Sequence, residues 1–82
     1  EGGYSVSLYP NPTEGDATLR VEGLNDNARV IMTDVQGRVI SNQEMAAGQK
    51  TLTISRNNLA SGVYYIRVIT NNTTRTEKLI IK

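Results

Sequence analysis

The sequence predicts an all-β fold, and three observations carry this prediction. Val, Ile and Leu supply 20 of the 82 residues, and nine Thr and eight Asn join them, a mixture that favours half-buried strands and Asn-rich turns over helices. Seven short stretches of strand-like sequence recur about every 8 to 12 positions. The sequence contains neither a βαβ unit nor a repeat period. We therefore expect a seven-stranded immunoglobulin-like antiparallel β-sandwich with Greek-key connections.

The first three strands follow from the alternation of side chains. Residues 4–8 and 17–22 alternate between apolar and polar types, so each predicts a strand with one buried face. Residues 28–33 carry apolar side chains on both parities, which indicates a central strand.

A proline-rich segment ends the first strand. Pro10 and Pro12 flank Asn11, and the two prolines fix φ twice and remove two backbone donors. The segment is therefore predicted to be an edge, a bulge or a crossing between sheets. A bend and a recognition loop both fit its residues.

A β-turn and a hairpin partner follow the third strand. Asp34 and Gly37 occupy the first and fourth turn positions, where Asp can bond its own backbone and Gly accepts a positive φ. Residues 38–42 then return as the hairpin partner.

Residues 43–47 contain good helix formers, but Gly48 ends them after barely one turn, and isolated helices need roughly 12 residues. We expect a loop or a strand end there.

The late strands cover residues 50–55 and 62–70, the second being the longest. Tyr64 comes just after the turn that enters this strand. That position is typical of a tyrosine corner, in which the hydroxyl bonds to upstream backbone and fixes a Greek-key crossover. Tyr64 is therefore predicted to be a structural residue.

The final strand is predicted over residues 74–82, with Lys78, Ile80 and Lys82 on its outward parity. A solvated face would normally avoid an Ile, and the two Lys keep such a strand from pairing indiscriminately. One hypothesis makes these three residues a recognition strip. The alternative is that a neighbouring loop covers Ile80 and that both Lys are solubilising charges, since single exposed apolar residues are common.

Composition limits the chemistry of the chain. With no His and no Cys, triad-type catalysis lacks its base and its thiol nucleophile, and the acids fall mostly at turns or outward positions. We expect no enzyme, no cofactor and no metal site. The cluster at residues 25–27 (NDN) offers too few oxygens for calcium, which takes about six to eight.

Charge and length limit the partners. A formal charge of +1 without a run of one sign argues against nucleic acid, and no apolar run approaches the roughly 20 residues that insert into a bilayer. Glu1, Gly2 and Gly3 have linker character. Residues 4–82 are then expected to form one domain.

Four segments of the chain carry recognisable motifs: residues 8–12 (LYPNP), 34–39 (DVQGRV), 59–64 (LASGVY) and 78–82 (KLIIK). They resemble the motifs of a known family, the type A C-terminal sorting domain of the type IX secretion system. The likeness spans nearly the whole chain, and four motifs in this order and spacing are more specific than any one of them. Thr33 departs from the family, which often has an aromatic or large apolar residue before the Asp.

The resemblance implies a secretion signal at the end of an exported protein of a Gram-negative bacterium. Family cargo passes through the periplasm, is recognised by the outer-membrane translocon and its shuttle protein, and reaches the cell surface or the medium. A sortase-like cell-surface peptidase then removes the tail, here within or just before Glu1, Gly2 and Gly3. The upstream cargo domain in the same chain is a further partner. Translocon recognition is assigned to Lys78, Ile80, Lys82, Gly62, Pro10, Asn11, Pro12, Asp34, Gly37 and Arg38.

Two other functions remain open at the level of sequence. A fibronectin-like structural spacer would sit between domains of an exported protein. A carbohydrate-binding module would need an exposed aromatic platform, for which only Tyr9 and Tyr65 are candidates.

Overall fold

A computed structural model describes residues 4–71 and 73–82. Within these residues all regular secondary structure is β, and no helix is present that could cross a membrane. The strands are β1 (Ser5–Tyr9), β2 (Ala17–Glu22), β3 (Ala28–Asp34), β4 (Val39–Met45), β5 (Thr51–Ile54), β6 (Gly62–Ile69) and β7 (Thr74–Ile81).

The strands form two antiparallel sheets. One has three strands in the order β1-β2-β5, and the other has four in the order β4-β3-β6-β7. The all-β prediction is confirmed, and so is the central position of residues 28–33, because β3 pairs with both β4 and β6. The linker predicted at residues 1–3 lies outside the described residues.

β4 is longer than the predicted hairpin partner. It continues to Met45, whose side chain is fully buried, so residues 43–45 are the strand end that the sequence left open. The pairing of β3 with β4 shifts register between Met32 and Thr33. This irregularity brings Val39 opposite Thr33 on the outer face.

Buried side chains from both sheets form one hydrophobic cluster. The core is aliphatic, as the composition requires, and burying each large side chain contributes about 1.5 to 3 kcal/mol. Ile66 of β6 and Leu79 of β7 are essentially inaccessible to solvent, which agrees with the outward parity predicted for Lys78 and Ile80. The largest fully buried side chains are Leu19, Val21, Val30, Met32, Met45, Ile66, Val68 and Leu79.

Register places several loops at one end of the molecule. Asp34 lies opposite Tyr64, and Tyr64 lies opposite Leu79. The turn after β3, the start of β6 and the end of β7 are therefore neighbours. The loops that follow β1 and β5 join them through hydrogen bonds described below. We call residues 8–16, 34–39, 56–64 and 78–82 together the motif end.

Candidate functional site

The proline-rich segment leaves the three-stranded sheet and meets the outer edge of β7. The Asn11 side chain donates from Nδ2 to the carbonyl oxygen of Lys78 at 2.7 Å and accepts from the amide of Ile80 at Oδ1 at 3.0 Å. A carboxamide presents an N–H donor beside a C=O acceptor, as a peptide group does, so Asn11 takes the place of a neighbouring strand. The peptide bonds preceding Pro10 and Pro12 are both cis. Of the three arrangements predicted for this segment, the structure has the crossing between sheets.

Thr13 continues the cover of the β7 edge. Its amide donates to the carbonyl oxygen of Ile80 at 2.9 Å, and its carbonyl accepts from the amide of Lys82 at 2.8 Å, which makes a parallel bridge opposite Ile81. Thr13 is buried, and its Oγ1 accepts a hydrogen bond from the amide of Gly15 at 3.1 Å. Together with Asn11, it closes the strand edge over the terminal motif.

Arg56 links two loops of the motif end to the residue that follows β7, and it was not predicted from the sequence. Its Nη1 donates to the carbonyl oxygens of Glu14 and Lys82, both at 2.8 Å, and its Nε donates to that of Leu59 at 3.1 Å. The backbone amide of Arg56 also donates to Asp16 Oδ1 at 3.0 Å. The forked guanidinium presents five N–H donors in a fixed geometry. One side chain can therefore bind three separate carbonyls.

The turn between β3 and β4 is organised by Asp34. Its Oδ1 accepts from the amides of Gln36 at 2.9 Å and Arg38 at 3.0 Å, and its Oδ2 pairs with Arg38 Nε at 3.1 Å. The backbone hydrogen bond from Arg38 is the main cause that lowers the pKa of Asp34 below its ordinary value. Gly37 adopts a φ of +86°. The predicted turn, with Asp bonding its own backbone and Gly at positive φ, is confirmed.

Tyr64 lies where β6 begins. Its hydroxyl donates to the carbonyl oxygen of Ala60 at 2.7 Å, four residues upstream, and its side chain is buried. This is the contact that a tyrosine corner requires. Gly62, at the start of the same strand, has a φ of +154°.

The side chains of the terminal motif divide between the core and the surface. Lys78 and Lys82 are exposed and Ile80 is half-buried. Across the outer face of the four-stranded sheet, Lys78 lies opposite Tyr65, and Ile80 lies opposite Val63. Lys78 and Ile80 therefore face outward with β6 beside them, while the backbone of both is held by Asn11.

Two apolar residues at the motif end are exposed, and this exposure was not predicted from the sequence. Val35 is 67% exposed in the turn and Val39 is 56% exposed at the start of β4. An apolar residue at a turn position was the available signal for Val35. For Val39 the signal was hidden, because the register shift after Met32 decides which face it occupies.

At the far end of the molecule, opposite the motif end, the described residues include no exposed aromatic side chain. Two surface hollows of about 250 and 200 Å³ lie there, and none of the described residues lining them is aromatic. Tyr9 and Tyr65 belong to different sheets, so they do not form a shared platform.

Asn27 Oδ1 accepts from the amide of Ala47 at 2.9 Å, which ties two loops together. The described residues contain no cluster of acidic side chains suited to a metal ion.

These features define a class of protein, a small all-β module whose four motif segments are bound to one another at one end. Residues 7–82 match the family described as the secretion system C-terminal sorting domain. The chain belongs to this family, the C-terminal sorting domains of the type IX secretion system. Membership implies interaction with that secretion machinery and export to the cell surface or the medium. A comparison with curated proteins gives no match.

Proposed function

We propose that the chain is a non-catalytic secretion signal that directs its cargo across the outer membrane of a Gram-negative bacterium and is then cut off at the cell surface. The observation that carries the proposal is the convergence of the four family motifs on one end of the molecule. Asn11, Thr13 and Arg56 bind three of these segments together through backbone groups, and the pairing of Asp34 with Tyr64 joins the fourth. A partner can then meet all four motifs as one folded surface.

The proposal includes the arrangement of the sheets as an immunoglobulin-like Greek-key sandwich. The single core cluster shared by both sheets and the hydroxyl contact of Tyr64 support it. In the constant-type immunoglobulin order the fourth strand pairs with the fifth. Here β4 pairs with β3 instead. The proposed sandwich is therefore a variant in which the fourth strand lies in the other sheet.

The residues assigned to recognition separate into two groups by their contacts. The polar atoms of Asn11 and Asp34 are bonded within the chain itself, to backbone groups and, for Asp34 Oδ2, to the Arg38 side chain. Pro10, Pro12, Gly37 and Gly62 shape the segments around them. Lys78, Ile80, Lys82 and Arg38 expose side-chain surface. We assign direct contact with the translocon and its shuttle protein to this second group, and an indirect, positioning role to the first.

Cleavage by a sortase-like surface peptidase is proposed at or just before Glu1, Gly2 and Gly3. Tyr4 supports this position because it is buried and its hydroxyl donates to the carbonyl oxygen of Val68 at 3.3 Å. Thr73 Oγ1 donates to the same hydroxyl at 2.9 Å. A peptidase needs an accessible, extended backbone, so the bonds upstream of Tyr4 are better substrates than those of β1.

The test is to fuse the chain to the end of a periplasmic reporter in a strain with an intact type IX system. We expect the reporter outside the cell, without the tail, and we expect it to stay in the periplasm in a translocon mutant. The matched control is the reporter alone. Retention of the fusion in the intact strain, or equal release from the mutant, contradicts the proposal.

A further inference from the structure

The closed edge of β7 limits how a partner can recognise the terminal motif. A free edge strand can accept an added strand from another protein. Between Lys78 and Lys82 the outer edge is already bonded to Asn11 and Thr13. A partner that leaves this cover in place must therefore read the side chains that stand on a face of the sheet.

The outer face of the four-stranded sheet carries an apolar strip at the motif end. Val39, Thr33, Tyr65 and Lys78 lie opposite one another in a single row across all four strands. With strands about 4.8 Å apart, this row spans roughly 15 Å. Val63 and Ile80 are paired in the adjacent position. Of these apolar side chains Val39 is exposed, and Tyr65, Val63 and Ile80 are half-buried.

The same face is positively charged. Its outward positions hold Arg29, Arg67 and Lys78 against a single acid, Glu44, which pairs with Arg29 at 3.8 Å. Arg67 and Lys78 are exposed and have no carboxylate partner among the described residues. They stand diagonally on neighbouring strands, about 7 to 8 Å apart at the backbone. Two uncompensated cations thus border the apolar strip.

We propose that this face is the docking surface of the domain, and that its partner is a protein surface of the secretion machinery with carboxylates around an apolar centre. The proposal rests on the proposed function. Charge complementarity selects an acidic partner, and the side chains of the chain favour a protein over a lipid surface. Membrane-binding faces insert large side chains such as Trp and Phe, and this chain has neither.

The experiment compares charge reversals on the two sheets in the reporter fusion. Arg67→Glu with Lys78→Glu reverses the proposed docking face, and Lys50→Glu reverses an exposed cation next to β5 in the three-stranded sheet. We expect export to fall at least about tenfold for the double variant, because like charges across an interface are strongly repelled. The Lys50→Glu control should stay within about twofold of the parent chain. Val39→Ser tests the apolar strip alone and should reduce export with an unchanged melting temperature.

The outcomes separate the inference from the proposed function. If the unmodified tail is not exported, the proposed function fails. If it is exported and the double variant matches Lys50→Glu, the docking face is overturned, as it is if export falls only in proportion to lost thermal stability. The purified chain is also mixed with vesicles of phosphatidylglycerol or phosphatidylcholine. We expect the chain to float with neither kind of vesicle. If the parent chain floats with the phosphatidylglycerol vesicles and the double variant does not, the partner of the face is an anionic lipid and the protein partner is overturned.

Discussion

Asp34 shows how a single residue controls the conformation of a loop. Two backbone amides and one guanidinium bind its carboxylate within a span of four residues. Each of these contacts favours the charged form of the acid, which is why its pKa lies below the ordinary value in the folded chain. The energy of the turn is therefore linked to pH.

Asp34→Asn should remove this linkage while keeping the turn. A carboxyl group whose folded pKa is lowered stabilises the fold above its unfolded pKa, about 3.9, and loses that contribution as the pH falls through the folded pKa. We expect the parent to exceed the variant in free energy of unfolding at pH 7, and the difference to shrink as the pH falls below about 4. Urea titrations at several pH values measure it. A difference that stays constant with pH would contradict the assignment.

Sequence predicted the residues whose partners are close along the chain. Asp34 and Tyr64 bond backbone groups within four positions of themselves, so local turn chemistry suffices to find them. Arg56 and Thr13 were not predicted. Arg56 reaches carbonyls 26 and 42 residues away, and Thr13 bonds to the last strand. Only the folded chain brings such groups together.

At the scale of secondary structure, β7 is the element whose edge the molecule protects. It is the last strand of its sheet, and Asn11 and Thr13 satisfy the backbone groups that would otherwise be open to another chain. The cover is made by one side chain and one residue of backbone. Removing the side chain should therefore open half of it.

Asn11→Ala should lower the free energy of unfolding by about 1 to 3 kcal/mol, because two hydrogen bonds to backbone groups are lost at about 0.5 to 1.5 kcal/mol each. It should also increase self-association through the uncovered edge. Asn42→Ala is the matched control, since Asn42 is exposed on the outer face of β4. Chemical denaturation and analytical ultracentrifugation provide the two measurements. If Asn11→Ala and Asn42→Ala have the same free energy of unfolding and the same molecular mass in solution, Asn11 does not cover the edge of β7.

The strands could be predicted from sequence more completely than their pairing. Alternation determines which face of a strand is buried, and the limits predicted for most strands agree with the structure to within one or two residues. Alternation does not determine which strand lies beside which. The hairpin of β3 with β4 was predicted from its turn and is confirmed. The pairing of β3 with β6 and of β2 with β5, and the register shift that turns Val39 outward, depend on packing between elements. The sequence therefore predicted only the β7 part of this face, namely Lys78 and Ile80.

At the scale of the whole molecule, the two ends of the sheets have different roles. The far end holds the turns around residues 25–27 and 46–49, which the hydrogen bond from the Ala47 amide to Asn27 Oδ1 ties together. The motif end joins loops from both sheets, and Arg56 binds the carbonyls of Glu14, Leu59 and Lys82 within it. Its position predicts that the motif end is a single unit that loosens when this guanidinium is lost.

Arg56→Ala should lower the free energy of unfolding by at least about 1.5 to 3 kcal/mol, the usual loss for a single hydrogen bond made by a charged group. Arg56→Lys should recover only part of it, because an ammonium is a point charge and cannot reach the carbonyls of Glu14, Leu59 and Lys82 together. Arg67→Ala, an exposed arginine of β6, should change stability by about 0.5 kcal/mol or less. Hydrogen exchange locates the effect. In Arg56→Ala the amides of Thr13 and Lys82 should lose more protection from exchange than the amide of Val68 in the core. Equal losses at all three amides would mean that Arg56 supports the fold as a whole and not the motif end.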